Sequence, residues 1–345
     1  MTDTAQQTAP EQDVLARTEA ERQALQWLDA AVEATGGQHR DGPRRMVVEV
    51  ARSLESGTHL LVQAGTGTGK SLAYLVPALQ HAVDAEAPVV VATATLALQA
   101  QIMRRDAPRL LEALQDELPR EMTVALVKGR SNYLCEHKLV GGFPDEDEDA
   151  LLSVGTFDRD RSRLGEEVVR LREWAEITES GDRDELVPGV SNRAWRQVSV
   201  TAHECLGSRC PVVAECFVER SREAAKEVDV IVTNHSFMAI DAFEGRFMLP
   251  EHDLLVVDEA HELTDRITST VTDELTSGSV SVAARRAGRG DAAGRLADTV
   301  DLLADALADL PEGKLAHLPE RHPRILRGCT GSGSSCTWSE WSVSS

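Results

Sequence analysis

The chain has 345 residues, of which 42% are hydrophobic and 27% are charged, as in an ordinary soluble globular protein. Its formal net charge of −21 argues against a protein that coats nucleic acid through a uniformly basic surface, but it leaves room for a local basic groove. The N-terminus lacks the positive and apolar segments of a signal peptide, and no stretch reaches the ~20 apolar residues that a membrane span requires. We therefore expect a cytoplasmic protein with no membrane partner.

Apolar runs alternate with helical patterns in the first part of the chain. The polar, acidic N-terminus predicts a disordered tail over residues 1–24. Two helices are expected within 25–54, broken at Gly36-Gly37 and at Gly42-Pro43. The predicted elements that follow are a buried strand at 59–64, a helix at 69–83, a strand at 88–94, a helix at 96–114 and a strand at 123–127. Strands that alternate with helices in this way predict an α/β fold with a parallel, doubly wound sheet.

The alternation stops near residue 129 and resumes near residue 226. Between them lie an acidic run at 145–149, two helical stretches and a group of cysteines, but no convincing strand. Apolar strands return at 228–234 and 253–258, so the interruption predicts an inserted domain. Residues 263–327 show helical periodicity, with a clear amphipathic helix at 296–310, whereas the serine-rich residues 328–345 share no pattern with the rest and predict an aberrant tail.

The segment AGTGTGKS at 64–71 fits a phosphate-binding loop in which Ala64 takes the place of the usual first glycine. It follows a predicted strand and opens a predicted helix, a context that disfavours an incidental Gly/Thr turn. Backbone N–H groups can surround phosphates at the positive end of the helix, Lys70 can reach the β- and γ-phosphates, and Ser71 can bind Mg²⁺. The residues expected to bind ATP are Ala64, Gly65, Thr66, Gly67, Thr68, Gly69, Lys70 and Ser71.

The segment LLVVDEAH at 254–261 supplies carboxylates at the end of a second apolar strand. Asp258 is expected to organise Mg²⁺, and Glu259 is placed to polarise an attacking water. Two acids at a strand end also suit an ordinary solvated turn, but the phosphate-binding loop upstream favours a nucleotide site.

Several motifs together resemble those of superfamily 2 helicases. These are AGTGTGKS, DEAH and VATATLALQAQ at 91–101, while VKGRSNYLCEHKL at 127–139 is similar to the iron–sulfur helicases of the XPD and DinG type, above all DinG-like proteins. The resemblance runs from about residue 25 to about residue 327. It implies a RecA-like P-loop NTPase domain that couples ATP hydrolysis to 5′-to-3′ movement on single-stranded DNA, with Lys70, Asp258, Glu259 and His261 as catalytic residues.

Four cysteines, Cys135, Cys205, Cys210 and Cys216, fall in the predicted insert. In a cytosolic chain, metal or cluster binding is more common than disulfide formation. The resemblance implies that these four hold a 4Fe–4S cluster, which requires four convergent sulfurs. A Cys₄ zinc site is the chemical alternative, although zinc sites more often use tight C-x₂-C pairs, and buried unliganded thiols are a third interpretation.

The resemblance also implies contacts with single-stranded DNA. Thr93, Thr95 and Gln99 would lie along its path, although they could equally cap the helix after the strand. Lys128 and Arg130 would meet the DNA backbone, a contact that makes binding independent of sequence and sensitive to salt. Tyr133 suits base stacking or the core, and the neighbouring pair Asn234-His235 is expected to line the nucleotide site or the DNA path.

The implied domain order is a RecA-like motor domain at 25–128 and 226–262, an iron–sulfur insert at 129–225 and the start of a helical arch at 263–327. Two departures stand out. Pro43 occupies the position where related proteins often place an adenine-reading Gln, and no second set of motor motifs follows residue 262. We therefore expect a C-terminally truncated helicase, monomeric, with no protein partner indicated, that binds ATP but does not unwind DNA alone. A non-catalytic ATP- and DNA-binding fragment is the main alternative, and a small-molecule phosphotransferase is the third.

Overall fold

The structure is a computed structural model that describes residues 16–65, 69–141, 158–202, 204–245, 248–286, 290–308, 310, 313–315 and 341–343. Most of the predicted N-terminal tail, the acidic run at 145–149 and most of the serine-rich tail lie outside these residues. The described helices are α1 (Glu19–Ala34), α2 (Asp41–Ser56), α3 (Lys70–Ala85), α4 (Leu96–Gln101), α5 (Ala107–Ala113), α6 (Glu136–Leu139), α7 (Asp158–Ala175), α8 (Asn192–Arg196), α9 (Phe217–Ala224), α10 (His235–Glu244), α11 (Leu263–Val271), α12 (Ser277–Arg286) and α13 (Asp291–Ala308).

A four-stranded parallel sheet forms the centre of the first compact unit. Its strands are β1 (Val89–Thr93), β2 (Val124–Leu126), β3 (Val230–Asn234) and β4 (Leu254–Val257), in the spatial order β2-β3-β1-β4. Val89 lies opposite Val230 on one side and Leu254 on the other. All residues of β1 are buried, as expected for a strand inside a parallel sheet covered by helices. The predicted α/β fold is confirmed.

The first three helices pack together against the sheet. Thr18 and Glu21 form a capping box that satisfies backbone donors where α1 begins. The Glu21 carboxylate, almost fully buried, also accepts a hydrogen bond from Arg52 of α2 at 2.8 Å. Trp27 and Leu28 of α1 are buried in the same core as the central strands. Residues 19–24 are therefore helical rather than part of a disordered tail.

The predicted strand at 59–64 is wrong. These residues have no strand partner, and the Leu61 side chain is 94% exposed. An apolar run is suited to a strand, but a strand also needs a hydrogen-bonded neighbour, and in the described sheet β4 is paired with β1 alone. A second prediction is wrong in detail: Gly42-Pro43 does not break a helix but lies in the first turn of α2, where proline is tolerated.

The predicted helix at 96–114 is confirmed with an irregularity. Between α4 and α5 the backbone passes through a π-helical segment, Ile102–Asp106, without leaving the helical path. Such segments are often found at functional sites. This one lies directly after Gln99, whose side chain is discussed below.

The insert is helical, as predicted, and has its own core. Leu134, Leu171, Trp195 and Phe217 are among its buried side chains. In the described part of the insert, the backbone forms one isolated antiparallel β-bridge, between Tyr133 and Asp182. The insert belongs to the same compact unit as the sheet, so contacts between the two are part of one body.

A second compact unit begins at Thr272, later than the boundary predicted at 263. Its helices α12 and α13 pack on each other and bury Ala284, Leu303 and Ala306. The amphipathic helix predicted at 296–310 is part of α13. Strands β5 (Gly313–Leu315) and β6 (Trp341–Val343) form a separate antiparallel pair. Among the described helices, none is both long and apolar enough to cross a membrane.

Candidate nucleotide and cysteine sites

The C-terminal end of the phosphate-binding loop opens helix α3. Gly69 caps the helix with a positive φ of 89°, a conformation that favours glycine, and Lys70 is the first helical residue. A Cβ atom at Gly69 would meet the Pro43 ring at 3.4 Å, so Pro43 does lie beside this loop. Thr66, Gly67 and Thr68 lie outside the described residues. The helix start leaves backbone N–H groups without intrahelical partners, which is what a phosphate-binding helix end offers.

The acidic motif follows strand β4 directly. The Asp258 backbone N–H donates to the Ala92 carbonyl at 2.9 Å, so Asp258 continues the sheet, and its side chain is buried. Glu259 takes a left-handed conformation with a φ of 54°, which is rare for a residue with a side chain and is common at functional sites. The turn lets the Glu259 N–H donate to Asp258 Oδ1 at 2.9 Å.

The structure brings the two motifs together. Lys70 Nζ lies 2.7 Å from Glu259 Oε1, and both side chains are about one-fifth exposed, at 18% and 21%. Lys70 and Glu259 are far apart in the sequence. The arrangement of α3 beside the sheet brings them into contact.

A tyrosine that the sequence did not suggest holds the buried carboxylate. Tyr74 lies one turn after Lys70 on α3, and its hydroxyl donates to Asp258 Oδ2 at 3.0 Å. Burial, followed by the charge of Asp258, raises the pKa of Tyr74, so the phenol stays protonated and remains a donor. Ser71 is also close enough to the Tyr74 hydroxyl to lower its pKa in part. The two predicted Mg²⁺ ligands, Ser71 and Asp258, therefore share this phenol as a neighbour.

Two histidines flank the acidic motif in different ways. His235 is fully buried, and its Nε2 donates to the Asp258 carbonyl at 2.9 Å. Burial lowers the pKa of His235, so its ring is neutral, and its Nδ1 has no hydrogen-bond partner in the part of the chain that the structure describes. His261 lies 3.4 Å from Glu259 but is largely exposed. Asn234 caps α10 by accepting the Phe237 N–H at 2.8 Å.

The donors at this site suit Mg²⁺ held partly by a nucleotide. Mg²⁺ in such sites is bound by one or two protein groups together with substrate phosphates and water. Ser71 and Asp258 provide that number of protein groups. Among the described residues, no three His, Cys, Asp or Glu side chains are grouped so as to hold a metal ion by themselves.

All four cysteines of the insert line one cavity, which lies apart from the nucleotide site. Apolar side chains, including Leu134, Val200 and Val218, complete much of its wall. Burial raises the pKa of the Cys135 thiol, and the charges of the other three cysteines raise it further. Sulfur ligands suit iron–sulfur and zinc centres. The same cavity is also lined by Glu136, His137 and Glu219, and in this conformation the described cysteines are not grouped closely enough to hold a metal ion by themselves.

Two of these cysteines lie beside backbone groups of the insert. Cys216 occupies the N-cap position of α9. The Gly207 N–H donates to Cys205 Sγ at 3.4 Å.

The residues predicted to contact single-stranded DNA are buried or bonded within the protein. Thr95 accepts the Leu98 N–H at 3.2 Å and so caps α4, which is the structural alternative to DNA contact. Thr93 is fully buried and donates to the Thr95 carbonyl. Gln99 is also fully buried, and among the described residues neither polar atom of its amide has a hydrogen-bond partner. Contact of Gln99 with DNA would require a rearrangement here, so it stays a prediction.

Lys128 and Arg130 are both engaged in ion pairs. The Lys128 side chain is 1% exposed and lies 2.6 Å from Asp182 and 2.7 Å from Asp184 of the insert. Arg130 lies 2.7 Å from Glu219. Tyr133 is buried in the insert core and its hydroxyl lies 3.2 Å from Ser221, which favours a core role over base stacking. In this conformation Lys128 does not face solvent, and its predicted contact with the DNA backbone would require these pairs to open.

Comparison with known proteins identifies helicase relatives. Residues 45–143 match the DEAD/DEAH box helicase family. The chain is 54% identical over 262 residues to the ATP-dependent helicase DinG of Mycobacterium tuberculosis, covering 75% of this chain and 40% of the relative. It is 38% identical to the ATP-dependent DNA helicase YoaA of Escherichia coli, covering 67% of this chain and 34% of the relative. The chain thus spans less than half the length of these relatives.

One solved structure of a helicase is also similar. A chain described as an XPD helicase aligns with 84% of this chain and 45% of its own length, at a TM-score of 0.48 and 17% sequence identity. The helicase resemblance predicted from the sequence motifs is confirmed by the sequence relatives.

Proposed function

Because this chain is a homologue of the DinG-type helicases over three-quarters of its length, we propose that it is the ATP-binding part of an ATP-dependent DNA helicase. The observation that carries the proposal is the contact between Lys70 and Glu259 at 2.7 Å, which joins the two nucleotide motifs in one site. The chain spans 40% of the length of the M. tuberculosis relative, so unwinding is proposed for the helicase as a whole.

The proposed chemistry begins with an exchange of partners at Lys70. The incoming phosphates replace Glu259 as the anion beside the ammonium, which frees the Glu259 carboxylate to orient and polarise a water. Ser71 and Asp258 would hold Mg²⁺, which would supply positive charge to neutralise the phosphates. Tyr74 fixes the orientation of the Asp258 carboxylate, and His261 stands beside Glu259 at the exposed edge of the site.

We propose single-stranded DNA as the partner, as the helicase names of the relatives suggest. The surface at the carboxyl ends of the strands, near Thr95, is the proposed path. Support comes from the half-exposed position of Thr95 immediately after β1. Lys128, Gln99 and Arg130 would join that path only if their present burial or pairing changed.

We also propose that Cys135, Cys205, Cys210 and Cys216 hold a 4Fe–4S cluster. The proposal is supported by the position of all four cysteines around one cavity. Iron and acid-labile sulfide analysis of the purified chain tests it, with Cys210→Ser as the variant. Stoichiometric zinc without sulfide would favour the alternative Cys₄ zinc site.

Steady-state ATP hydrolysis by the chain, with and without single-stranded DNA, tests the main proposal. Lys70→Ala is the matched control, since it removes the phosphate contact. Motors of this kind close ATP between two such domains, so we expect the chain to bind ATP and to hydrolyse it very slowly, at a rate close to that of Lys70→Ala. DNA-stimulated turnover that vanishes in Lys70→Ala would contradict this expectation for the chain alone, and phosphate transfer to a small acceptor without a DNA effect would contradict the proposal.

A further inference from the structure

The peptide unit that joins Asp258 to Glu259 is held at both of its polar atoms. The Asp258 carbonyl accepts a hydrogen bond from His235 Nε2 at 2.9 Å, and the Glu259 N–H donates to Asp258 Oδ1 at 2.9 Å. The preceding N–H, that of Asp258, donates to the Ala92 carbonyl of β1 at 2.9 Å. Because a peptide unit is planar, it cannot turn without breaking one of these bonds. The direction in which the chain enters Glu259 is therefore fixed.

The backbone of Glu259 depends on contacts of this kind. Its φ of 54° lies in the left-handed region, which a residue with a side chain rarely adopts. Such a conformation persists where the surrounding structure holds it in place. In this conformation Glu259 Oε1 lies 2.7 Å from Lys70 Nζ. Relaxation of this turn would move the carboxylate away from Lys70.

The bond from His235 connects the turn to a distant part of the sheet. His235 directly follows β3 and is the first residue of α10. Strand β1 lies between β3 and β4, so the imidazole reaches across the end of β1 to Asp258. The His235 side chain is fully buried. The turn is thus held from three strands rather than from β4 alone.

The other ring nitrogen of His235 makes this residue a poor choice for stability alone. Among the described residues, Nδ1 has no hydrogen-bond partner although it is buried. A buried polar atom without a partner costs free energy, whereas a phenyl ring would fill a similar volume without that cost. Residues that break such a rule are expected at functional sites.

We infer that His235 is a positioning residue of the nucleotide site, which holds the Asp258–Glu259 peptide and so keeps the Glu259 carboxylate against Lys70. It acts through the backbone carbonyl of Asp258, so it is not a catalytic residue. This inference rests on the proposed nucleotide site, in which phosphate displaces Glu259 from Lys70. Without the bond from His235, Glu259 should compete less well with phosphate.

The experiment is equilibrium binding of a fluorescent ATP analogue with Mg²⁺ to His235 variants, each made with Glu259 present and with Glu259→Gln. His235→Phe and His235→Asn should bind the analogue about twofold to fivefold more tightly than the unmodified chain, because a partly exposed ion pair competes with phosphate by about that factor. Neither change should alter affinity further when Glu259→Gln has already removed the ion pair. A merely structural role would give the same shift in both backgrounds.

His235→Gln tests the hydrogen bond itself. The glutamine amide nitrogen can occupy the position of Nε2 and donate to the Asp258 carbonyl, whereas the asparagine nitrogen reaches only the position of Nδ1. His235→Gln should therefore restore most of the unmodified affinity. Urea unfolding of each variant confirms that it is folded under the conditions of the binding assay.

His81→Phe is the matched control. His81 Nε2 lies 3.0 Å from Asp253, just before β4, so the variant also removes a histidine contact beside that strand. His81 is eleven residues after Lys70 on α3, about 16 Å along the helix, and its loss should leave nucleotide affinity unchanged.

Several results would overturn the inference. These are unchanged or weaker binding in both His235→Phe and His235→Asn, an equal shift in both backgrounds, and a His235→Gln variant that behaves like His235→Phe. If the unmodified chain did not bind the analogue, the proposed nucleotide site would fail and the inference with it.

Discussion

Replacing Lys128 by methionine should weaken the contact between the insert and the sheet and so destabilise the fold. Lys128 follows strand β2, whereas its partners Asp182 and Asp184 belong to the insert. Lys128 Nζ donates to Asp182 at 2.6 and 2.8 Å and to Asp184 at 2.7 Å. Methionine keeps most of the apolar stem, so the change removes the charge and the donors with little loss of packing.

The expected cost follows from what each carboxylate loses. Removing one partner of a buried ion pair typically costs about 3–5 kcal/mol, because the other charge is left buried and unpaired. The Asp182 side chain is 12% exposed, so it bears most of this cost, whereas Asp184 is 36% exposed and water can solvate it. Asp182 also keeps the Asp184 N–H as a donor at 3.0 Å. We therefore expect the lower end of the range, about 3 kcal/mol.

Urea unfolding followed by tryptophan fluorescence measures this cost, because Trp195 lies in the insert core. Lys226→Met is the control, since Lys226 forms an exposed pair with Glu223 and should cost no more than about 1 kcal/mol. Converting Asp182 and Asp184 to asparagine as well should recover part of the loss, because no unpaired charge would remain. A Lys128→Met cost equal to that of the control would refute the reasoning.

Three further predictions concern single side chains. For Asp229, burial raises its pKa but hydrogen bonds from Arg120 and neighbouring donors outweigh burial and lower it. The ionised Asp229 carboxylate therefore stabilises the fold fully above the unfolded pKa of 3.8, and this stabilisation is lost as the pH falls through the lowered pKa. Asp229→Asn should lower the urea midpoint at neutral pH, and the midpoints of the variant and the unmodified chain should converge in acid. Tyr74→Phe removes the donor to Asp258 and should weaken Mn²⁺ binding in the presence of nucleotide while leaving metal-free nucleotide binding unchanged; equal Mn²⁺ affinity would count against it. Thr18→Ala removes the cap of α1 and should cost about 1 kcal/mol in thermal unfolding, and no change in melting temperature would contradict that role.

Local patterns in the sequence were enough to place the nucleotide motifs. Lys70 opens a helix and Asp258 directly follows a strand in the structure, as predicted, although the run at 59–64 before the phosphate-binding loop is not a strand. Because the carboxyl ends of parallel strands meet at one edge of a sheet, their meeting could also be expected. The position of Tyr74 could have been predicted, since a residue four positions after Lys70 lies on the same helix face.

Residue burial and pairing across long separations could not be predicted in the same way. Lys128 was expected to face DNA, but its partners lie in the insert and no local pattern connects them to it. Gln99 follows a strand and suits either a cap or a surface contact, whereas its burial depends on how α4 packs on the sheet. The exposed run at 59–64 was predicted as a strand from composition, which carries no information on whether a neighbour is present to pair with it.

The arrangement of the four cysteines could be predicted only in part. Their grouping around one cavity could be expected from the family resemblance but not from spacing, since Cys135 is far from the other three in the sequence. The charge pattern around them, with Arg222 and Arg130 sharing Glu219, is visible only in the folded chain.

The most direct test of the account is equilibrium binding of a fluorescent ATP analogue with Mg²⁺ to the chain and to Lys70→Ala and Glu259→Gln. The account predicts that Lys70→Ala loses binding. It predicts that Glu259→Gln binds about threefold to tenfold more tightly, because phosphate no longer competes with a partly exposed ion pair worth about 1 kcal/mol. Unchanged affinity in both variants would contradict the claim that Lys70 exchanges Glu259 for phosphate in a single nucleotide site.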